Sequence, residues 1–373
     1  MSIELRIDQQ VLDKSRLKQV VVEECVDPLY GKLQTQTMDV TARSYSYWDN
    51  FANLEEKIQL YRDDQLKNTL RVKELTHMKI SDIAMRCRSD LEFLEVKFMG
   101  GMYTNADPVT VLAQIMGDHS YSLDQKVANK RVTGHLPICT RRQALEQLAF
   151  ALEAALTVTP EGHVRLTQVP LDINSAVHMD PNRLPEGVQI TTQPYYTKVE
   201  LVSHRWVAST QWVEVYNKRD LGTQEVTVTF NQPNAEYALA EGRIVAKGPN
   251  FITFVPAGPE TLKIRPYLHY TNTHTTTFPI DTSRFSNALT VREMTLVNED
   301  NAQSLMTRLK QVALMRQQLQ MRIPVENEVP GQTLYMRTPW GTRFLGCISR
   351  MKTIHTQNNH IADITVVGRE NKE

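Results

Sequence analysis

Apolar and polar residues alternate with period two through much of this chain and switch to helical spacing in only a few windows. Leu17–Glu24 holds the β-branched run Val20-Val21-Val22. Gln36–Tyr45 sets Met38, Val40 and Ala42 on one face and Thr37, Asp39 and Thr41 on the other, the signature of strands with one wet face. Ile58–Tyr61 and Leu70–Val72 flank a polar stretch with Asp63 and Asp64, which predicts a hairpin. Ile80–Cys87 reads as a further strand that leads into a short helix through Leu91 and Leu94.

Gly100-Gly101 breaks this pattern, and the period changes. Asp107-Pro108 supplies an N-cap and a first-turn proline. Val111, Leu112, Ile115 and Met116 follow at helical spacing, and Gly117 stands at the C-terminal stop. After a strand-like Lys130–Gly134, Thr140-Arg141-Arg142-Gln143 forms a capping box. The stripe Leu145, Leu148, Ala149, Leu152 and Leu156 comes next. Burying such a stripe contributes roughly 1.5–3 kcal/mol per leucine, well above intrinsic helix propensity. Pro160-Glu161-Gly162 turns the chain into a second hairpin arm at His163–Val169. Residues 102–169 thus read as a small α/β module.

Leu171–Glu186, with Pro181 and Pro185, reads as a linker. Strand patterns then resume at Lys198–Val202, Trp212–Tyr216 and Gln224–Phe230, and Ile244–Lys247 and Phe251–Val255 flank a Gly248-Pro249-Asn250 turn. This spacing predicts a small sandwich or barrel. Tyr270–Phe278 places Thr271, Thr273, Thr275 and Thr277 on one face, read as a solvated threonine ladder with a sugar- or partner-contacting face as the alternative. In the closing segment Asn298 caps a helix with Glu299 and Asp300 in its first turn. Its predicted apolar stripe runs Leu305, Leu309, Val312, Leu319, with Arg316 and Arg322 late and Pro324 as the stop. Strands at Thr333–Thr338, Phe344–Met351 and Ile361–Val367 complete the pattern, with a Pro339-Trp340-Gly341 turn between the first two.

Composition narrows the function classes. The 373 residues carry 42 Lys+Arg against 42 Asp+Glu, which argues against a nucleic-acid binder working by bulk charge. Glycine is scarce, 15 residues in all, and neither GxGxxG nor GxxxxGK[ST] occurs. That sets aside the dinucleotide-binding and P-loop classes. The four cysteines Cys25, Cys87, Cys139 and Cys347 are dispersed without a CxxC, and read as reduced thiols rather than a zinc module or disulfide scaffold. Glu4, Arg6 and Asp8 interrupt any signal-peptide core, and no window approaches 18 apolar residues, so neither a signal peptide nor a membrane span is expected.

No catalytic motif is readable: GxSxG, HExxH and an Asp-rich calcium loop are all absent from the sequence. His269 with His274 and His355 with His360 are each five apart, a spacing that fits neither one helix face nor one strand face. The expectation is therefore no catalytic residue, cofactor or metal. Pro339-Trp340 and Trp206/Trp212 leave an aromatic sugar platform open beside plain packing. The sharpest charge feature is residues 302–352, where Arg308, Lys310, Arg316, Arg322, Arg337, Arg343, Arg350 and Lys352 face only Glu326 and Glu328. This is either a solvated face or a complementary contact between subunits. The assembly candidates are Arg308, Arg316, Arg322, Arg337, Arg343 and Trp340.

One run carries a resemblance. Val132–Ala151, VTGHLPICTRRQALEQLAFA, resembles the G-x-[IL]-P-x-C-[ST]-x-R-[EQ]-A-L-x-Q-[IL]-A-F-A segment of tail and baseplate proteins from Firmicutes prophages. Val20–Met38 is similar to their EE-x-D-P opening, although Gln36-Thr37-Met38 stands where the family usually has Asn-Thr-Leu. Asn287-Ala288-Leu289, Asn301-Ala302-Gln303, Pro330-Gly331-Gln332, Thr338-Pro339-Trp340-Gly341 and Gly368 match in outline, whereas residues 207–285 match nothing in the family.

The resemblance implies an α+β, β-rich multidomain chain with two tube-like β-barrel or sandwich domains, a small α/β module and an inserted β domain. The implied divisions are a tube-like domain at 1–100 and the α/β module at 101–170. A linker and the first strands of the second tube-like domain occupy 171–206, the insert 207–285, and the completing helix and strands 286–373. The implied role is a non-enzymatic baseplate hub subunit, trimeric, joining tail tube to spike and contacting baseplate wedge proteins. It would sit in a phage tail, tailocin or injection particle assembled in the bacterial cytoplasm. No membrane and no sequence-specific nucleic-acid binding are implied, with passage of DNA through a channel left open. Two alternatives stand beside it: a distal-tail or tail-tip protein of a non-contractile phage, and a cell-wall hydrolase or carbohydrate-binding module.

Overall fold

A computed structural model of the chain describes residues 2–8, 10–28, 31–44, 52–79, 81–180, 183, 187–218, 224–258, 260–279, 286–356 and 359–371. Tyr45, Ile80, Pro181, Pro185 and Glu186, named above, lie outside the described residues.

One long sheet dominates. Its strands run in the spatial order Val188–Thr192, Gln317–Pro324, His360–Asn371, Arg343–Thr356, Leu17–Cys25, Thr37–Arg43, Asp82–Arg88, Gln65–Lys79, Lys57–Arg62, Ile3–Ile7 and Gln10–Val11. The predicted hairpin at Asp63-Asp64 is present. Both residues take positive φ, 48° and 63°, the mirror-image turn that matches strand twist.

The sheet has two halves, one from residues 3–88 and one from 188–192 with 317–371. Among the described residues one strand pairing joins them, a seam where Gln19–Cys25 pairs antiparallel with Arg350–Thr356. Each half keeps its own core, Val20, Met38, Leu60, Leu70 and Met85 in the first and Leu319, Ile323, Phe344, Ile364 and Val366 in the second. The seam fixes the two halves to each other through backbone hydrogen bonds, and a smaller apolar cluster that includes Val26, Cys347 and Val367 bridges them.

The α/β module follows its sequence pattern closely. Asp107 caps α1 (Pro108–Met116), accepting from the Val109 amide at 2.8 Å. A short α2 spans Gln125–Ala128. Thr140 and Gln143 close the capping box of α3 (Arg141–Ala151) at 3.2 and 3.0 Å. Leu112, Ile115, Leu145, Leu148, Leu156 and Leu166 are fully buried together, against a sheet of Tyr121–Leu123, Val164–Thr167 and Ala155–Val158.

Two readings of the sequence are corrected. Of the segments grouped above with the second tube-like domain, Lys198–Ala208 pairs antiparallel with Tyr267–Thr277 of the strand Glu260–Thr277, and Ala288–Val291 pairs parallel with Lys198–Leu201, so both share a sheet with the neighbouring β unit. The reason is length: Lys198–Ala208 finds a register-matched partner over all eleven residues of its run in Tyr267–Thr277. That pairing keeps Thr273, Thr275 and Thr277 on a solvated face, while Val199 and Leu201 are buried under the closing helix.

That closing helix, α4 (Glu299–Ala313), is shorter than its predicted stripe. Asn298 caps it as expected, accepting from the amides of Asp300 and Asn301 at 2.8 and 3.3 Å. Gln317–Pro324, however, is a strand of the long sheet. Leu319, Met321 and Ile323 alternate with period two, and pairing with both His360–Asn371 and Val188–Thr192 overrides the helical spacing that Leu319 shares with Leu305–Val312. Pro324 ends a strand, not a helix.

Candidate assembly surface

The structure separates the six candidate residues into three environments. Arg308 is turned inward: its guanidinium donates to the carbonyls of Pro28 at 2.8 Å and Val169 at 3.3 Å, and burial pulls its pKa below the usual arginine value. It ties α4 to the first sheet half and to the end of the module. Arg316 lies over the ring of Tyr195, 3.2 Å from its centroid, while its carbonyl accepts from the Gln193 amide at 2.7 Å. It holds the edge strand Val188–Thr192 in place. Neither side chain is a free surface cation.

Arg337, Trp340 and Arg343 do come together. The strands Thr333–Arg337 and Arg343–Thr356 form a hairpin in which Arg337 and Arg343 are directly opposed. Its turn is closed by Thr338 and Thr342, whose hydroxyls are 2.7 Å apart, with Gly341 at φ 85°. Trp340 stands at the tip with 62% of its surface exposed. The tip thus sets two arginines and a largely exposed aromatic side by side.

Arg322 belongs to a third environment, the polar face of the long sheet. It grips Asp363 with two bonds, at 2.7 and 3.2 Å. Successive registers place Arg322, Asp363, Lys352, Glu23, Thr37, Arg88 and Arg71 in one row across the strands. The row crosses the seam without interruption. Arg350 bonds Glu23 at 2.9 Å there, and in the first half Arg86 bonds both Asp39 and Glu74 at 3.3 Å. Exposed pairs of this kind contribute at most about 1 kcal/mol each. Their larger effect is on the field: both signs are interleaved, so the face is hydrophilic without being strongly attractive to a polyanion.

The 132–151 run has a specific structural use. Gly134 takes φ +138°, and a Cβ there would stand 2.8 Å from the Thr295 carbonyl, so the close approach requires glycine. Thr295 in turn donates its amide to Gln147 Oε1 at 3.1 Å and its hydroxyl to Gln147 and to the His135 carbonyl. Asn298 Nδ2 donates to the Thr133 carbonyl at 2.8 Å. The run thus docks the module onto the N-terminus of α4, through the close approach at Gly134 and the bonds of Gln147.

The histidines form clusters the sequence spacing did not reveal. His355 is buried and its Nδ1 lies 2.9 Å from Nδ1 of His360, its cross-strand neighbour. His204 Nδ1 is 2.9 Å from His269 Nε2, and Trp206 stacks on His269 with centroids 4.0 Å apart. His135 Nε2 meets Asn250 Oδ1 at 3.0 Å. Burial pushes the pKa of both His135 and His355 down to about 4. Cross-strand register, invisible in linear spacing, sets His355 opposite His360 and His204 diagonal to His269. Among the described residues no group of three or more His, Cys, Asp or Glu is placed to hold a metal, and no helix is long and apolar enough to cross a membrane. Cys87 and Cys347 are buried free thiols, and Cys25 and Cys139 are half-buried and free.

No protein-family model and no curated protein sequence matches the chain. Solved structures do. A 43 kDa tail protein of prophage MuSo2 from Shewanella oneidensis superposes with a TM-score of 0.61 at 9% identity, covering 99% of each chain. The tail protein from Neisseria meningitidis matches with a TM-score of 0.60 at 8% identity, over 98% of this chain and 96% of its own. A prophage tail protein from Listeria monocytogenes matches with a TM-score of 0.55 at 11% identity, over 100% of this chain and 95% of its own. From end to end, the chain has the fold of prophage tail proteins.

Proposed function

We propose that this chain is a structural hub subunit of a phage tail or tail-like particle, joining the tail tube to a central spike, without catalytic activity. The observation that carries the reading is the end-to-end likeness of the fold to prophage tail proteins. The long sheet supports the finer part. Two halves with their own main cores, joined along one strand seam, are what a chain carrying two tube-forming units would need. Three such chains would present six units to a six-fold tube and a three-fold end to a spike.

In this arrangement the interleaved charge row from Arg322 to Arg71 lines the channel. A face with both signs paired across neighbouring strands stays wet and lets a polymer pass without retaining it. The hairpin tip with Arg337, Trp340 and Arg343 is the contact to an acidic surface of the adjoining subunit. A large rigid aromatic flanked by arginines is the composition that concentrates binding energy at interfaces. The α/β module and the β unit spanning Lys198–Val291 lie at the periphery.

Sedimentation of the purified chain tests the reading. A closed assembly of three copies is the expected result. Six copies would favour a distal-tail ring, and a monomer at every concentration would overturn the hub.

A further inference from the structure

The strand Glu260–Thr277 has two edges, and they are not equally covered. Along one, Lys198–Ala208 pairs with it from Tyr267 to Thr277. Along the other, Asn234–Leu239 pairs with it only as far as Pro266. Among the described residues no strand continues that second edge over residues 268–277. Backbone bonds settle which groups face each way. Ser209 donates to the Pro266 carbonyl at 2.8 Å and Phe278 to the Thr197 carbonyl at 2.9 Å, on the covered side. Tyr267 donates to the Pro233 carbonyl at 2.9 Å, on the other. Alternation along an antiparallel strand then directs the N–H and C=O of His269, Thr271, Thr273, Thr275 and Thr277 to the uncovered edge. Residues 268–273 are all exposed. The stretch 268–277 has no proline, no charged residue and no bulge, the devices by which sheets blunt an open edge.

The two faces beside this edge differ. On one, Val207 and Leu268 are directly opposed and exposed, and Tyr270 follows with 53% of its surface exposed. A groove of about 500 Å³ opens there, with Arg205, Val207, Tyr270, Asn272 and Glu299 in its wall. The other face carries Thr271, Thr273, Thr275 and Thr277.

We propose that this edge docks an extended segment of a partner protein, which adds to the sheet as a further strand. The two faces set its chemistry. Side chains entering the groove meet Val207, Leu268 and Tyr270 and are apolar; those on the opposite face lie beside threonines and are small, β-branched or hydroxyl-bearing. The segment is uncharged where it pairs, because the strand it joins offers no counter-charge. A second copy of the chain is the poorer match. On the groove face its own edge reads Leu268, Tyr270, Asn272, His274 and Thr276, polar over the second half. The inference goes beyond the hub role and rests on the β unit alone.

Fluorescence polarisation with the full chain tests it. The probe is a labelled peptide of alternating valine and threonine with a solubilising ethylene-glycol tail, about nine residues long to span the edge. Saturable binding is the expected result, weakened at least roughly tenfold in Thr273→Pro. That proline removes an N–H directed to the open edge, so the melting temperature should stay at the parent's value. Hydrogen exchange of the parent gives a readout that needs no variant. The peptide should slow the amides of His269, Thr271, Thr273 and Thr275, and leave those of Tyr270, Asn272 and His274, which face Lys198–Ala208, unchanged. Absence of binding, equal affinity in Thr273→Pro, or slowing of both sets alike would overturn the proposal. Dimerisation of the chain that is lost in Thr273→Pro would also overturn it, by assigning the edge to a second copy.

Discussion

Arg337 and Arg343 are directly opposed across the hairpin that carries Trp340 at its tip. In the proposed hub an acidic surface of the adjoining subunit faces this pair. The double variant Arg337→Glu/Arg343→Glu is therefore predicted to leave the folded subunit as stable as the parent, within about 0.5 kcal/mol, as surface changes usually do. Its self-association should fall at least roughly tenfold, about 1.4 kcal/mol. Sedimentation at low and high salt checks this: the parent's association weakens with salt, and the variant's should show a smaller dependence.

Arg308 carries the opposite prediction. Its guanidinium closes two backbone carbonyls at Pro28 and Val169, so Arg308→Ala leaves both without a donor. We predict a loss of roughly 2–4 kcal/mol in denaturant unfolding, with the assembly state of the remaining folded protein unchanged. An unaltered stability would mean that this residue, too, belongs to the surface.

Gly134→Ala is predicted to destabilise by roughly 2 kcal/mol or more. It adds a methyl group 2.8 Å from the Thr295 carbonyl at a φ of +138° and strains the backbone as well. Faster proteolysis at the junction between the module and α4, relative to the parent, is the measurement that reports it.

The buried histidines set an acid limit. His135 has an ordinary value of 6.5 and is held at about 4 in the fold by desolvation, partly offset by its bond to Asn250. Between these values the unfolded chain takes up a proton that the folded chain does not. Stability is thus fully present above pH 6.5 and is lost as the pH falls toward 4, by on the order of 3 kcal/mol at the limit. Glu24 acts with the opposite sign: its raised pKa, about 7 against 4.5, removes stability as the pH rises through that window. Replacing His135 with glutamine, which keeps a donor for Asn250, should flatten the acid side of the profile measured by thermal unfolding.

Much of this fold is legible locally. The Thr140–Gln143 and Asn298–Asn301 caps, the Asp63-Asp64 turn and the period-two runs at Thr37–Arg43 and Phe251–Val255 each lie within a few residues of the chain. The polar threonine face at 271–277 is likewise readable. What was not legible depends on strands distant in sequence. Leu319 fits both a helix extending from Leu305 and a strand with Met321 and Ile323, and only its partners in His360–Asn371 decide between them. The seam between Val20–Val22 and Thr353–His355 joins segments more than 300 residues apart. The candidate surface was half legible for the same reason. The excess of arginine in residues 302–352 is plain, but Arg308 and Arg316 find partners at Pro28, Val169 and Tyr195 that charge counting does not reveal.

The central claim is that two sheet halves in one chain let three copies bridge a six-fold tube and a three-fold spike. Electron microscopy of the chain co-assembled with its neighbouring tail subunits tests this most directly. A ring of three copies around an open channel lined by the face bearing Arg322, Asp363, Lys352 and Glu23 is the expected result. A ring of six, or a channel lined by any other face, would contradict it.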